Sequence, residues 1–208
     1  MTVLRIRIWA DEARSLPHEG LRSPTDLRIL RDVRREFHTP RFHLRPLGPG
    51  DATWMAALNS DPEVMRWIPG GARSPEQARR DAEDRVFLDQ HSRHLGLWAI
   101  EDLAGGEIHG WVALIKLNID DIEVGYRLRR PSWGRGIATE AAARILEYGF
   151  SDLEMDRIVA VTLPENAASE RVLAKLGLRL ERAYQQDGLE WHYFAIRREE
   201  WESRRQVR

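Results

Sequence analysis

The 208-residue chain contains no cysteine, which excludes disulfides, thiolate nucleophiles and cysteine-ligated metal sites. Lysine is scarce: Lys116 and Lys175 stand alone among 32 basic residues, a bias that reflects a GC-rich genome more than a need for guanidinium chemistry. An excess of charge is missing too. With 32 basic and 33 acidic side chains the formal net charge is −1, so there is no electrostatic footprint for nucleic acid or an anionic membrane. No stretch reaches the ~18 consecutive apolar residues of a membrane span. Arg5, Arg7 and Asp11 interrupt the opening residues where a signal peptide would need an apolar core. The expectation from these absences is a cytoplasmic protein. Repeats and low-complexity segments are absent as well.

What is present suits one soluble domain with an appendage. Hydrophobic residues make up 42% and charged residues 31%, enough to build a core at this length. Residues 1–38 read as an extension: a weakly alternating stretch from Val3 to Trp9, then a helix after Ser23-Pro24 with Leu27, Leu30, Val33 and Phe37 on one stripe. Arg28, Arg31 and Arg35 form another face of that helix, which reads as a solvated face more readily than as an RNA or partner contact.

The main domain, residues 39–208, opens with a strand over Phe42–Arg45. A short helix with Trp54, Met55 and Leu58 inward follows, closed at Asp61-Pro62. A charged helix over Ser74–His91 has Ala78, Ala82, Val86 and Leu88 inward. Strands then follow at Leu95–Glu101, Ile108–Leu117 and Ile122–Leu128. A helix over Ile137–Asp152 presents small residues to a sheet. After it come a strand at Arg157–Leu163, a helix at Asn166–Leu176 closed by Gly177, and two strands paired around Asp187-Gly188. The order predicts an α/β domain with a mixed, mostly antiparallel sheet flanked by helices.

The stretch Glu123–Ala142, EVGYRLRRPSWGRGIATEAA, organises the rest. A strand runs into a turn with Gly134 and Gly136, and a helix starts at once. The first N–H groups of a helix lack intrahelical partners and sit at the positive end of its dipole, so a glycine turn at that point is a ready anion site. The dinucleotide fingerprint does not fit, because Thr139 stands where its third glycine would be. The P-loop does not fit either, because no Gly-Lys-Ser/Thr follows.

The run Trp133-Gly134-Arg135-Gly136-Ile137-Ala138-Thr139-Glu140-Ala141 resembles the phosphate loop of the GNAT acyltransferases. Its W-G-x-G-x-A-T-E-A form is similar to that of the branch that includes the RimJ and RimL N-acetyltransferases. The resemblance extends to Thr39–Leu47, to Asp61–Met65, and to Pro164–Ser169 with Lys175–Leu178, covering about Thr39 to Arg197; residues 1–38 have no counterpart. It implies a GNAT-like fold and acetyl-CoA as cosubstrate, with no metal. Backbone N–H groups of Gly134, Arg135, Gly136, Ile137, Ala138 and Thr139 would hold the pyrophosphate. The backbone of Tyr126, Arg127 and Leu128 would pair with the pantetheine arm as an added strand. Asn166 and Ser169 would contact the thioester end, although Asn166 is equally well placed as a plain N-cap.

The implied reaction is direct attack of a primary amine, on a small molecule or a protein N-terminus, upon the acetyl group, with no covalent enzyme intermediate. Proton acceptors and donors are harder to place. Leu173 occupies the position of the late-helix tyrosine acid of many GNAT enzymes, and Val161 that of the glutamate base of the ribosomal-protein alanine branch. Glu123, on one strand face with Gly125, is the best base, its alternative being a solvated carboxylate. Ser169 is the accompanying catalytic candidate, with Tyr126, His43 and His192 weaker. Glu140 reads as a first-turn carboxylate that stabilises its helix. Trp67, beside Gly70-Gly71, is the tryptophan expected nearest the acceptor. The second reading is an acyl-CoA-binding module without turnover. The sequence leaves a homodimer open and does not name the amine.

Overall fold

The computed structural model describes residues 35–90, 94–117 and 121–206. The strand and arginine-faced helix expected within residues 1–34 lie outside them. The chain divides into two compact units, one holding residues 46–93 and the other residues 36–45 and 94–208. Elements are β1 (Phe37–His38), β2 (Phe42–Pro46), α1 (Ala52–Ser60), α2 (Pro62–Met65), α3 (Pro75–Gln90), β3 (Gly96–Asp102), β4 (Ile108–Lys116), β5 (Ile122–Leu128), α4 (Ile137–Glu147), β6 (Arg157–Thr162), α5 (Ala167–Leu176), β7 (Arg179–Gln186), β8 (Leu189–Arg197) and α6 (Arg198–Gln206). No helix of the described residues is long and apolar enough to cross a membrane.

The smaller unit is helical. Asp61-Pro62 closes α1 as expected, with Asp61 as its extended C-cap, and also opens α2: Asp61 accepts from the N–H groups of Glu63 and Val64, an aspartate N-cap with proline in the first turn. α3 opens with a reciprocal capping box. Ser74 Oγ accepts from Gln77 N, and Gln77 Oε1 accepts from Ser74 N, both at 3.3 Å. Ala78, Ala82 and Val86 are buried as the spacing predicts, but Asp89 rather than Leu88 takes the next buried position.

The larger unit is an eight-stranded sheet in the order β1-β2-β3-β4-β5-β6-β8-β7. The pairs β1–β2, β3–β4, β4–β5, β6–β8 and β7–β8 are antiparallel, whereas β5 and β6, the two strands that α4 connects, pair in parallel. Phe37, expected on a helical stripe, lies in β1 opposite Leu44. It is buried against Trp98 and Tyr148, because a half-buried edge strand takes an aromatic as readily as a helix does.

One face of the sheet carries the main core, where Val112, Leu114, Val124, Ile158, Phe194 and Ile196 meet α4 and α5. α4 approaches closely because Ala141 and Ala142 are fully buried between Ile137 and Ile145. Each of those large aliphatic side chains contributes about 1.5–3 kcal/mol on burial. The α-helix ends at Glu147, five residues before the expected Asp152, and Tyr148–Asp152 continues as a π-type turn. The opposite face holds a smaller cluster of Val159, Tyr193 and Ala195.

Candidate active site

β5 makes seven residue pairs with β4 but only one with β6, Glu123 opposite Val159. Past that pair the two parallel strands separate, so β5 keeps one hydrogen-bonded edge and opens the other. Which residues serve the open edge follows from β4. Gly110 lies so close to β5 that a Cβ there would meet the Arg127 carbonyl oxygen at 2.1 Å, so that carbonyl turns toward β4. The Leu128 carbonyl turns the other way and accepts from Trp133 Nε1–H at 2.9 Å. Backbone groups alternate between edges, so the open edge presents those of Tyr126 and Leu128. Arg127 pairs inward with Trp111, which corrects the expectation that its backbone shares the edge.

From Glu123 to Leu128 the strand covers about 16 Å at 3.3 Å per residue. At its far end a short 3₁₀ turn over Arg130–Ser132 leads into Trp133 and the glycine loop. Gly136 sits at φ 76° as the residue before α4, a left-handed conformation that glycine adopts without cost. Ile137 and Ala138 bury their side chains in the core, so the α4 start is anchored from beneath while the loop residues Gly134 to Gly136 are exposed. Thr139 is half-buried one turn in. The strand, glycine turn and helix start follow one another in the order the sequence predicts, and the helix runs for eleven residues.

Glu140 does more than stabilise its helix. Its Oε1 accepts from Thr39 Oγ1 at 2.6 Å and from Arg41 N at 3.1 Å, and its Oε2 accepts from Arg41 Nε at 2.7 Å. Arg41 Nη1 also donates to the Arg135 carbonyl at 3.1 Å. The turn between β1 and β2 is thereby clasped to the loop. Burial alone would push the Glu140 carboxyl up, but the Thr39 and Arg41 hydrogen bonds and the Arg41 charge outweigh it and hold the group below the usual 4.5.

A depressed folded-state pKa means the ionised form stabilises the fold. That contribution is complete above the unfolded value and is lost as pH falls through the folded one. Glu140→Gln is therefore expected to lower Tm at pH 7 by a few degrees, with the gap to the unaltered protein closing in acid. A gap of constant size across that range would show that the clasp does not use the charge.

Across the opening from β5 stands the start of α5. Asn166 caps it, its Oδ1 accepting from Ser169 N at 3.2 Å, so the plain capping role is met. The Tyr126 hydroxyl lies 2.9 Å from Ser169 Oγ, where either oxygen can donate, and 3.2 Å from the Ser169 carbonyl, which only accepts. Burial pushes the Tyr126 phenol up to about 12 against the pull of the Ser169 bond, so it stays a proton donor at neutral pH. Glu123 shares a strand face with Gly125, opposite the face of Val124 and Tyr126, so the structure sets Glu123 and the Tyr126–Ser169 pair on opposite faces of β5. Leu173 is fully buried in the core and supplies no proton.

His43 pairs with Glu36 at 2.9 Å, away from this opening. His192 Nδ1 contacts Glu170 Oε1 at 2.6 Å, one residue beyond Ser169. Trp67 lies in the smaller unit under the Arg66 guanidinium at 4.7 Å. Three contacts escape sequence reading: the Arg41–Glu140 clasp, the Trp133–Leu128 bond and a buried His109–Ser132 pair at 2.9 Å. Each joins residues without a shared local pattern.

Residues 41–179 match the family profile described as an acetyltransferase (GNAT) domain. The chain is 33% identical over 156 residues to the uncharacterized N-acetyltransferase YnaD of Bacillus subtilis, covering 71% of this chain and 89% of that one. It is 30% identical over 152 residues to the FsC-acetyl coenzyme A-N(2)-transacetylase of Aspergillus fumigatus, covering 68% and 64%. Among solved structures, a GNAT-family acetyltransferase from Bacillus anthracis superposes with a TM-score of 0.69 at 25% identity, covering 79% of this chain and 99% of that one. The profile spans two thirds of the chain, residues 41–179, and the chain belongs to the GNAT family of acetyltransferases.

Proposed function

We propose that this acyltransferase moves the acetyl group of acetyl-CoA to a primary amine by direct attack, as a RimJ/RimL-like member of its family. The observation that carries the reading is the opened edge of β5, which starts at Glu123 and runs to the loop at α4. An extended pantetheine arm laid against Tyr126 and Leu128 would span that edge as an added strand. Its pyrophosphate would meet the N–H groups of Gly134 to Thr139, and its thioester would come to the end where β5 and β6 still pair. The relatives support the same cosubstrate: one carries acetyl coenzyme A in its name.

At the thioester end Glu123 accepts the amine proton from one face. Ser169 returns a proton to the leaving thiolate from the other, its oxygen resupplied by the Tyr126 hydroxyl. The nitrogen–carbonyl bond forms as the carbon–sulfur bond breaks, and both electron pairs are accounted for without a covalent enzyme species. The acceptor is a small-molecule amine or a protein N-terminus.

The test is calorimetry with acetyl-CoA followed by thiol release against a panel of polyamines, amino sugars and peptides with free N-termini. Micromolar binding and one class of amine giving thiol are the expected results. Failure to bind any acyl-CoA would remove the reading. Binding without thiol release from any amine would favour an acyl-CoA-binding module, the reading that Leu173 and Val161, standing where the family's acid and base would be, otherwise keep in play.

A further inference from the structure

β4 carries one residue more than β3 between the pairs Ile100–Gly110 and Glu101–Ile108, and the extra residue is His109. A bulge of this kind re-aims a side chain. By strict alternation His109 would share a face with Trp111 and Ala113. Instead its ring is fully buried edge-on to Phe42 at 5.4 Å, and Phe42 belongs to the core on the α4 side.

There Nδ1 lies 2.9 Å from Ser132 Oγ, and Nε2 lies 3.5 Å from Asp102 Oδ2. Ser132 is 1% exposed. The main chain reinforces the link. Arg129 N donates to the His109 carbonyl and Ser132 N to the Arg129 carbonyl, both at 2.9 Å, and Trp133 N donates to the Arg130 carbonyl at 3.1 Å.

A string of aspartate, histidine and serine invites a nucleophilic reading, but a hydroxyl this buried meets no substrate. The bland alternative is a satisfied core histidine. Against it stands the cost: imidazole and hydroxyl are desolvated together where an aliphatic pair would pack without that penalty. Direction matters too. The Asp102 carboxylate only accepts, and the hydrogen bond from Ala104 N, with smaller help from His109, keeps it ionised. Nε2 makes no hydrogen bond and only faces the Asp102 carboxylate at 3.5 Å, and the tautomer with its hydrogen on Nε2 points that hydrogen at the carboxylate and leaves Nδ1 to accept from the Ser132 hydroxyl. One side chain thus ties the β3 end to the turn from which the glycine loop departs.

We propose that His109 is a positioning residue for acetyl-CoA. By holding Ser132 it fixes the Arg129–Ser132 segment, and with it the direction in which the loop N–H groups meet the pyrophosphate. This rests on the cosubstrate reading above.

The test uses the full chain and three variants, His109→Leu, His109→Asn and Ser132→Ala, each measured for acetyl-CoA affinity by calorimetry, for KM and kcat, and for Tm. Leucine and Ser132→Ala each remove the bond and are expected to weaken acetyl-CoA binding about fivefold, the weight of one ordinary hydrogen bond. KM should rise with it while kcat moves less than about twofold. Asparagine, whose amide oxygen can take the place of Nδ1, should restore most of the affinity. The double variant His109→Leu/Ser132→Ala should bind no more weakly than either single one, because one bond is shared. Unchanged affinity in a folded His109→Leu or Ser132→Ala variant overturns the proposal. So does affinity that follows Tm across the set with no rescue by asparagine. If His109→Leu does not fold, Ser132→Ala gives the same readout alone. Loss of binding in the unaltered protein would instead overturn the cosubstrate reading itself.

Discussion

Glu123→Gln is expected to lower turnover by about 10²- to 10⁴-fold, the usual worth of a positioned general base, while acetyl-CoA affinity stays within about twofold. Glutamine keeps the shape and the strand pairing and removes the charge together with the ability to take a proton. Glu123 stands opposite Val159 at the last pair before β5 and β6 part, where the thioester of an arm laid along β5 would end. The neighbouring Gly125 carries no side chain on that face, where a Cβ would already touch the Trp111 ring at 3.8 Å. Steady-state kinetics with calorimetry on the same protein decides the matter. Unchanged turnover would remove Glu123 as the base, and a parallel fall in affinity and turnover would make it structural.

The largest effect on the fold is expected from Gly110→Ala. Gly110 sits at φ +143°, and an added Cβ would meet the Arg127 carbonyl oxygen at 2.1 Å and Leu128 Cα at 2.8 Å. These are backbone atoms of an interior strand, and no rotamer change relieves them. Gly110 also pairs with Ile100 on its other side, so β5 has to be displaced from the sheet or the bulge undone. The cost is at least about 3 kcal/mol, a large part of the ~5–15 kcal/mol by which domains are stable, and about 10 °C in Tm. Gly105→Ala, with nothing within 4 Å of the new Cβ, serves as the control and should stay within about 0.5 kcal/mol. Thermal unfolding of Gly110→Ala within a degree or two of the control would show that the strands yield more easily than this contact implies.

Local pattern made most elements legible. Alternation located β3 to β8 to within a residue or two, and the glycine turn before Ile137 located the loop, because both signals lie within a few neighbouring residues. The misses share a cause. Phe37 fits a helical spacing with Leu30 and Val33, yet its burial partners are Trp98 and Tyr148, which no window around residue 37 contains. The inward turn of the Arg127 backbone depends on strand parity, which a sequence does not carry. His109 reads as an ordinary residue in a strand until the extra residue in β4 turns it to the α4 face. Asn166, by contrast, was readable as a cap because its partner is three residues away.

The clasp of Thr39 and Arg41 on Glu140 bears on the order in which this protein is made. These contacts span 101 and 99 residues of sequence, whereas the β5–α4–β6 crossover is a local piece of chain. Closing the longer loop carries the greater entropic cost and comes late in folding. On the ribosome, the segment bearing Thr39 and Arg41 emerges first and waits for α4. The glycine loop is therefore drawn into its final shape by a segment made earlier than itself, and the crossover stands in outline before the clasp holds it.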